Sequence, residues 1–172
     1  LALDEMALGP VEIGHGAAGQ RQRMGVIGGE MIGDAGEAGV DIAAAETPGI
    51  ASLDVAYVPE NMGILADLSG KGNMLLAARS ASRVQQIDAQ RLQWIFQLFP
   101  AVEKFWNHPA GKLSGGQKQM LAVARAIVEP RKLLIVDEPS KGLAPAIINN
   151  MIEAFAQLKQ TGTTILLVEQ NI

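Results

Sequence analysis

Apolar residues fall into regular patterns only after about residue 53, and the first 50 positions show neither a sustained period of 2 nor one of 3.6. Residues 53–59, Leu53-Asp54-Val55-Ala56-Tyr57-Val58-Pro59, predict a strand stopped by proline. Through residues 61–112 helical patches alternate with turns. Ile87, Leu92, Ile95, Phe96 and Phe99 keep helix-like spacing, and Pro100 and Pro109-Ala110-Gly111 interrupt the pattern. Ser114 then reads as an N-cap for a helix whose broad apolar face is Met120, Leu121, Val123, Ala124, Ile127 and Val128, with Pro130 as its stop. The run Leu133-Leu134-Ile135-Val136 predicts a buried parallel strand that carries Asp137 and Glu138 to its carboxyl end. Pro145 suits a first helical turn, Ile147, Ile148, Met151, Ile152, Phe155 and Leu158 repeat at three and four, and Gly162 reads as the residue past the helix end. A last strand follows at 164–168, so strand, helix and strand form a right-handed parallel crossover in an α/β fold.

Composition adds a contrast between the two parts of the chain. Residues 1–50 are rich in glycine and alanine, with no lysine and no aromatic residue; Met24-Gly25-Val26-Ile27 is a short candidate strand among glycines. That part holds eight acids against two bases, Arg21 and Arg23, whereas residues 51–172 hold ten acids against twelve bases. Neither half carries a concentrated basic run, which argues against nucleic acid as a partner. With 172 residues, 48% of them hydrophobic, and a mean hydropathy near zero, the chain can bury a core. No apolar run is long enough to span a bilayer, and no charged-then-apolar leader opens the sequence, so a secreted location is not expected. The absence of cysteine excludes disulfides and thiolate metal sites.

Two stretches carry chemistry. Ser114-Gly115-Gly116-Gln117 ahead of an apolar helix offers backbone N–H groups at the positive end of the helix dipole, a seat for phosphate. Asp137 could hold Mg²⁺ through water while Glu138 orients or deprotonates an attacking water; two solvated acids before a proline turn are the plainer alternative. His15 and His108 are isolated from each other, which speaks against a metal site. Ser69-Gly70-Lys71-Gly72 fits a helix start better than a phosphate loop, and Trp94, Phe96, Phe99, Phe105 and Trp106 fit core packing.

Together the Ser114–Gln117 and Leu133–Glu138 stretches resemble the signature and Walker B motifs of the ATP-binding-cassette (ABC) ATPases. From about residue 41 the chain looks like the ATP-binding subunits of importers for branched-chain amino acids, urea and amides. Ser140-Lys141-Gly142-Leu143-Ala144-Pro145 is similar to their loop after Walker B, Val58-Pro59-Glu60-Asn61 to their Q-loop, and Val168-Glu169-Gln170-Asn171 to their switch region. The resemblance implies an α/β P-loop (RecA-like) parallel sheet core with an inserted helical subdomain, incomplete at both ends. It divides the chain into an atypical N-terminal part of the core at 1–52, a core strand and Q-loop at 53–60, a helical subdomain with the signature at 61–128, and Walker B, D-loop and switch at 129–172. It also implies ATP and Mg²⁺. Ser114, Gly115, Gly116 and Gln117 would contact nucleotide in trans, Asp137 would order magnesium through water, Glu138 would be the base, Gln170 would sense the γ-phosphate, and Glu60 would couple the site to the membrane partner. The implied partners are a second ATPase subunit, identical or different, and integral permease subunits, with the chain peripheral on the cytoplasmic face of the inner membrane.

One expected motif is not recognisable. A P-loop needs glycines to wrap the phosphates, a lysine to bridge them and Ser or Thr for magnesium, but the first lysine is Lys71. The nearest spacing match runs from Gly14 through Gly19 to Gln20 and Arg21, with Gln and Arg where Lys and Ser/Thr belong. Nor does an aromatic residue precede Tyr57 to stack adenine. A non-catalytic, partner-binding module or a truncated or frameshifted fragment is therefore the alternative to an autonomous ATPase.

Overall fold

The computed structural model describes residues 9–10, 23–27, 54–78 and 87–169. Their elements, in chain order, are β1 (Gly9–Pro10), β2 (Arg23–Ile27), β3 (Val55–Val58), α1 (Gly70–Ala77), α2 (Ala89–Leu98), α3 (Pro100–Lys104), a 3₁₀ turn (Ala110–Lys112), α4 (Gly115–Ala126), β4 (Leu133–Asp137), α5 (Pro145–Gln160) and β5 (Thr164–Glu169). One five-stranded sheet, ordered β1-β2-β5-β4-β3, organises them. β3, β4 and β5 are mutually parallel, as the β4-α5-β5 pattern requires, whereas β2 joins β5 antiparallel with Arg23 opposite Glu169 and Ile27 opposite Ile165. The sheet is therefore mixed rather than wholly parallel.

Register explains which strand residues are buried. Ala56, Leu134 and Ile165 align across the three parallel strands, as do Val58, Val136 and Leu167, and all six are buried on one face. Their neighbours Val55, Leu133 and Thr164, and Tyr57, Ile135 and Leu166, point to the other face and stay partly or largely exposed among the described residues. An unbroken apolar run in β4 suggests burial on both sides; the described elements fully cover one.

Helix boundaries follow local chemistry. Ser69 caps α1 by accepting from the Gly72 N–H at 3.1 Å, and Asp88 caps α2 by accepting from the Arg91 N–H at 2.8 Å. Pro100 ends α2 and opens α3, and Pro145 opens α5. Gly162, at φ +83°, follows α5 where an L-residue would be strained. The apolar face of α4 is buried as its spacing predicts, but the helix ends at Ala126 rather than running to Pro130. Side chains outside the helix take its terminal carbonyls: Arg131 Nε donates to Ala126 O at 3.3 Å, and Arg91 Nε donates to Ile127 O at 2.9 Å. The aromatic cluster packs as core, with Phe99 fully buried, Phe96 and Trp106 edge-on at 5.1 Å and the Arg91 guanidinium over Trp94.

Candidate functional site

The carboxyl edge of the parallel strands gathers three of the acidic residues singled out in the sequence. Asp137 ends β4 on the open face of the sheet, two residues beyond Ile135, which pairs with Tyr57. That alternation puts both side chains on one side, and the Tyr57 hydroxyl donates to Asp137 Oδ2 at 3.3 Å. Burial, and then the charge of Asp137, push the Tyr57 phenol above its ordinary pKa. Glu138 leaves the strand with φ +51°, a left-handed conformation that costs a non-glycine residue about 1–2 kcal/mol. Its amide pays for this by donating to Val168 O at 2.8 Å, which ties the turn to β5. The residue is 9% exposed, and its Oε1 has no hydrogen-bond partner. A buried, unpartnered carboxylate oxygen at a strand end suits a group that holds a water or takes a proton.

The loop after β4 folds back toward the loop after β3. Lys141 N donates to Glu138 O at 3.2 Å, and Leu143 N donates to Ser140 O at 3.1 Å. The Lys141 ammonium hydrogen-bonds the Glu60 carboxylate, both side chains being largely exposed. The bond and charge of Glu60 lead in raising the Lys141 pKa, with Glu138 and Asp137 adding to it. Glu60, Asp137 and Glu138 thus share one edge, and Lys141 is their described cation.

The start of α4 is built from reciprocal hydrogen bonds. Ser114 N donates to Gln117 Oε1 at 2.9 Å, and Gln117 N donates to Ser114 Oγ at 3.3 Å. Gln117 therefore serves as the far side of a capping box, its backbone N–H and side-chain oxygen both engaged by Ser114. Gly115 and Gly116 hold the first two helical positions, whose N–H groups have no partner inside a helix. A Cβ on Gly115 would meet open space, whereas one on Gly116 would lie 3.0 Å from Ile147 Cγ2. The second glycine sits where the α4 start presses on α5, so a side chain there would have to push Ile147 aside. Gln170, Gly14, Gly19 and Gln20 lie outside the described residues.

A family model described as ABC transporter matches residues 13–141. The chain belongs to the ABC transporter family. It is 38% identical over 119 residues to the high-affinity branched-chain amino acid transport ATP-binding protein BraG of Pseudomonas aeruginosa, an overlap of 68% of this chain and 49% of that protein. It is 35% identical over 121 residues to the probable branched-chain amino acid transport ATP-binding protein LivF of Archaeoglobus fulgidus, covering 70% of this chain and 50% of that one. The chain thus spans about half the length of these curated relatives. Among solved structures, an ATP-binding subunit of an ABC transporter superposes with a TM-score of 0.58 at 29% identity, covering 70% of this chain and 50% of that one. The ADP conformation of an ABC transporter's ATP-binding cassette gives the same TM-score at 20% identity, covering 74% and 55%. These likenesses show the P-loop NTPase fold. The ABC transporter match begins one residue before Gly14 and so includes the glycine cluster at 14–19.

Residues outside any motif brace this edge. Arg125, in the last turn of α4, donates to Gly63 O at 2.5 Å and Met62 O at 3.3 Å, fastening the segment after Glu60 to the signature helix. Met62 and Gly63 both have positive φ, so this bend needs outside support. Asn73, fully buried in α1, accepts from Leu65 N at 2.9 Å and donates to Leu65 O at 3.0 Å and Ser69 O at 3.1 Å. An arginine near a helix end and a polar residue at an otherwise buried position are the faint sequence signals for the two.

For a divalent metal the donor chemistry fits in one way. Among the described residues no group of three His, Cys, Asp or Glu side chains could hold a metal ion by itself. Mg²⁺ characteristically takes one or two carboxylates and completes its shell with water and substrate phosphate, which the single carboxylate of Asp137 on the open face of the sheet can accommodate.

Proposed function

We propose that this chain is the ATP-hydrolysing part of the energising subunit of an importer, with branched-chain amino acids or related amides as cargo. The observation that carries this is the sheet edge, where Asp137 ends the strand, Glu138 follows with one buried, unpartnered carboxylate oxygen, and Lys141 links the same loop to Glu60. In this reading Asp137 orders the water shell of magnesium, and Glu138 accepts a proton from the water that attacks the γ-phosphate. Magnesium, when bound, would neutralise phosphate charge. Ser114 Oγ and the amides of Gly115 and Gly116 face nucleotide held by a second ATPase subunit, and Gln117 holds that turn in shape through its cap. Gln170 senses the γ-phosphate. Glu60 passes the state of the site to segment 61–128, the helical subdomain that docks on the permease, while residues 1–52 and 129–172 belong to the core. The subunit sits peripherally on the cytoplasmic face of the inner membrane; among the described residues no helix is long and apolar enough to cross one.

A second reading, a partner-binding module without its own hydrolysis, is favoured by the absence of any lysine before Lys71. Photolabelling with an azido-ATP analogue separates the two, using the chain alone and mixed with a P-loop-bearing importer subunit. Labelling of this chain in the mixture, together with hydrolysis in excess of what the partner subunit gives alone, is expected for the first, with that excess falling about 100-fold or more in rate in Glu138→Gln while binding is kept. Hydrolysis unaffected by that substitution, or no nucleotide association in either sample, leaves the second.

A further inference from the structure

Lys141 bridges two segments that lie 81 residues apart in sequence, the loop after β3 and the loop after β4. Its ammonium binds the Glu60 carboxylate, close enough to Asp137 and Glu138 to feel both charges. A positive charge therefore already stands at the acidic edge. It reaches there on a flexible side chain that is 61% exposed, so it can leave without disturbing packing. Lys141 is tied to the same turn through its backbone, its N–H donating to Glu138 O at 3.2 Å, and Glu138 Oε1 is buried without a hydrogen-bond partner.

We propose that Lys141 is a tethered counter-cation of the nucleotide site, a positioning residue that keeps Glu60 against the carboxylate edge until a divalent metal displaces it. Displacement frees Glu60 from the loop after β4, so the arrival of metal is converted into movement of the segment after β3. That segment is the one Arg125 fastens to α4, which gives the exchange a route into the helices. The inference rests on the magnesium role proposed for Asp137, and it is tested with metal alone, so that failure to bind nucleotide and failure of the counter-cation are separate results.

The probe is Mn²⁺ binding followed by electron paramagnetic resonance at low ionic strength, on the wild-type chain, Lys141→Met and Lys141→Arg. Removing the charge while keeping the length is expected to tighten Mn²⁺ binding roughly three- to fivefold, and the gain should shrink as salt is added. Lys141→Arg should bind as wild type does. Paramagnetic broadening of the ring resonances of Tyr57, the one tyrosine in the chain, should place the ion at this edge in all three proteins. Equal affinities for wild type and Lys141→Met overturn the proposal. So do an arginine variant that behaves like the methionine one, a Tyr57 ring left sharp, and no Mn²⁺ bound by any of the three. Because both side chains are exposed, thermal unfolding of the variants is expected to match wild type, and that curve checks that each is folded.

Discussion

Single residues at the sheet edge do what their sequence neighbours could not announce. Asp137 and Glu138 are adjacent carboxylates, yet one lies on the open face beside a phenol and the other is buried with an unpartnered oxygen. The alternation of a strand placed the first; a left-handed backbone turn, for which glutamate carries no propensity, placed the second. The single tyrosine makes the arrangement measurable. Burial and Asp137 both favour the neutral phenol, so absorbance titration of the native chain should give a midpoint above the ordinary 10.0, and the unfolded chain should titrate at the ordinary value. Asp137→Asn should lower the native midpoint without returning it fully, since burial leads the shift. The linked stability is fully present below the unfolded pKa and is lost as pH rises through the higher native one, so Tyr57 adds nothing to stability changes near neutrality. An unchanged midpoint in Asp137→Asn would refute the Tyr57–Asp137 contact.

At the level of elements, α4 shows how one motif serves two ends. Its serine cap was legible because Ser followed three residues later by Gln, ahead of an apolar face, is a pattern of local hydrogen bonds. The two glycines look equivalent in sequence, but only Gly116 meets α5. Chemical denaturation should therefore separate them. Gly115→Ala is expected to be neutral or to stabilise by up to about 1 kcal/mol, because a helix gains from alanine where space is open. Gly116→Ala is expected to destabilise by about 1–3 kcal/mol as Ile147 is forced aside. Equal effects would mean that α4 and α5 do not meet as described. The helix stop was misplaced by four residues for a related reason: Pro130 signals where a helix cannot continue, but Arg91 and Arg131, distant or downstream in sequence, take the carbonyls that let it end at Ala126. Nothing in the helix's own residues records those partners.

At the scale of the fold, the mixed sheet has one face closed and one partly open among the described residues. Leu134→Ala should cost about 2–5 kcal/mol, since its side chain is fully buried, while Ile135→Ala, the next residue on the other face, should cost less than half as much in the same denaturation experiment. Comparable losses would mean that the second face is as closed as the first. Legible in the chain alone were the succession of strands and helices from residue 53 on, the helix starts at Ser69, Ser114 and Pro145, the α/β class and the family resemblance, because each rests on periodicity or on groups within a few positions of one another. The folded arrangement alone set β2 antiparallel to β5, brought Gly116 and not Gly115 against α5, made Arg125 and Asn73 hold the bend after Glu60, and let Lys141 reach Glu60. These depend on pairs far apart in the chain. Their energy comes from desolvation and hydrogen-bond geometry at the meeting point, which local sequence pattern does not encode.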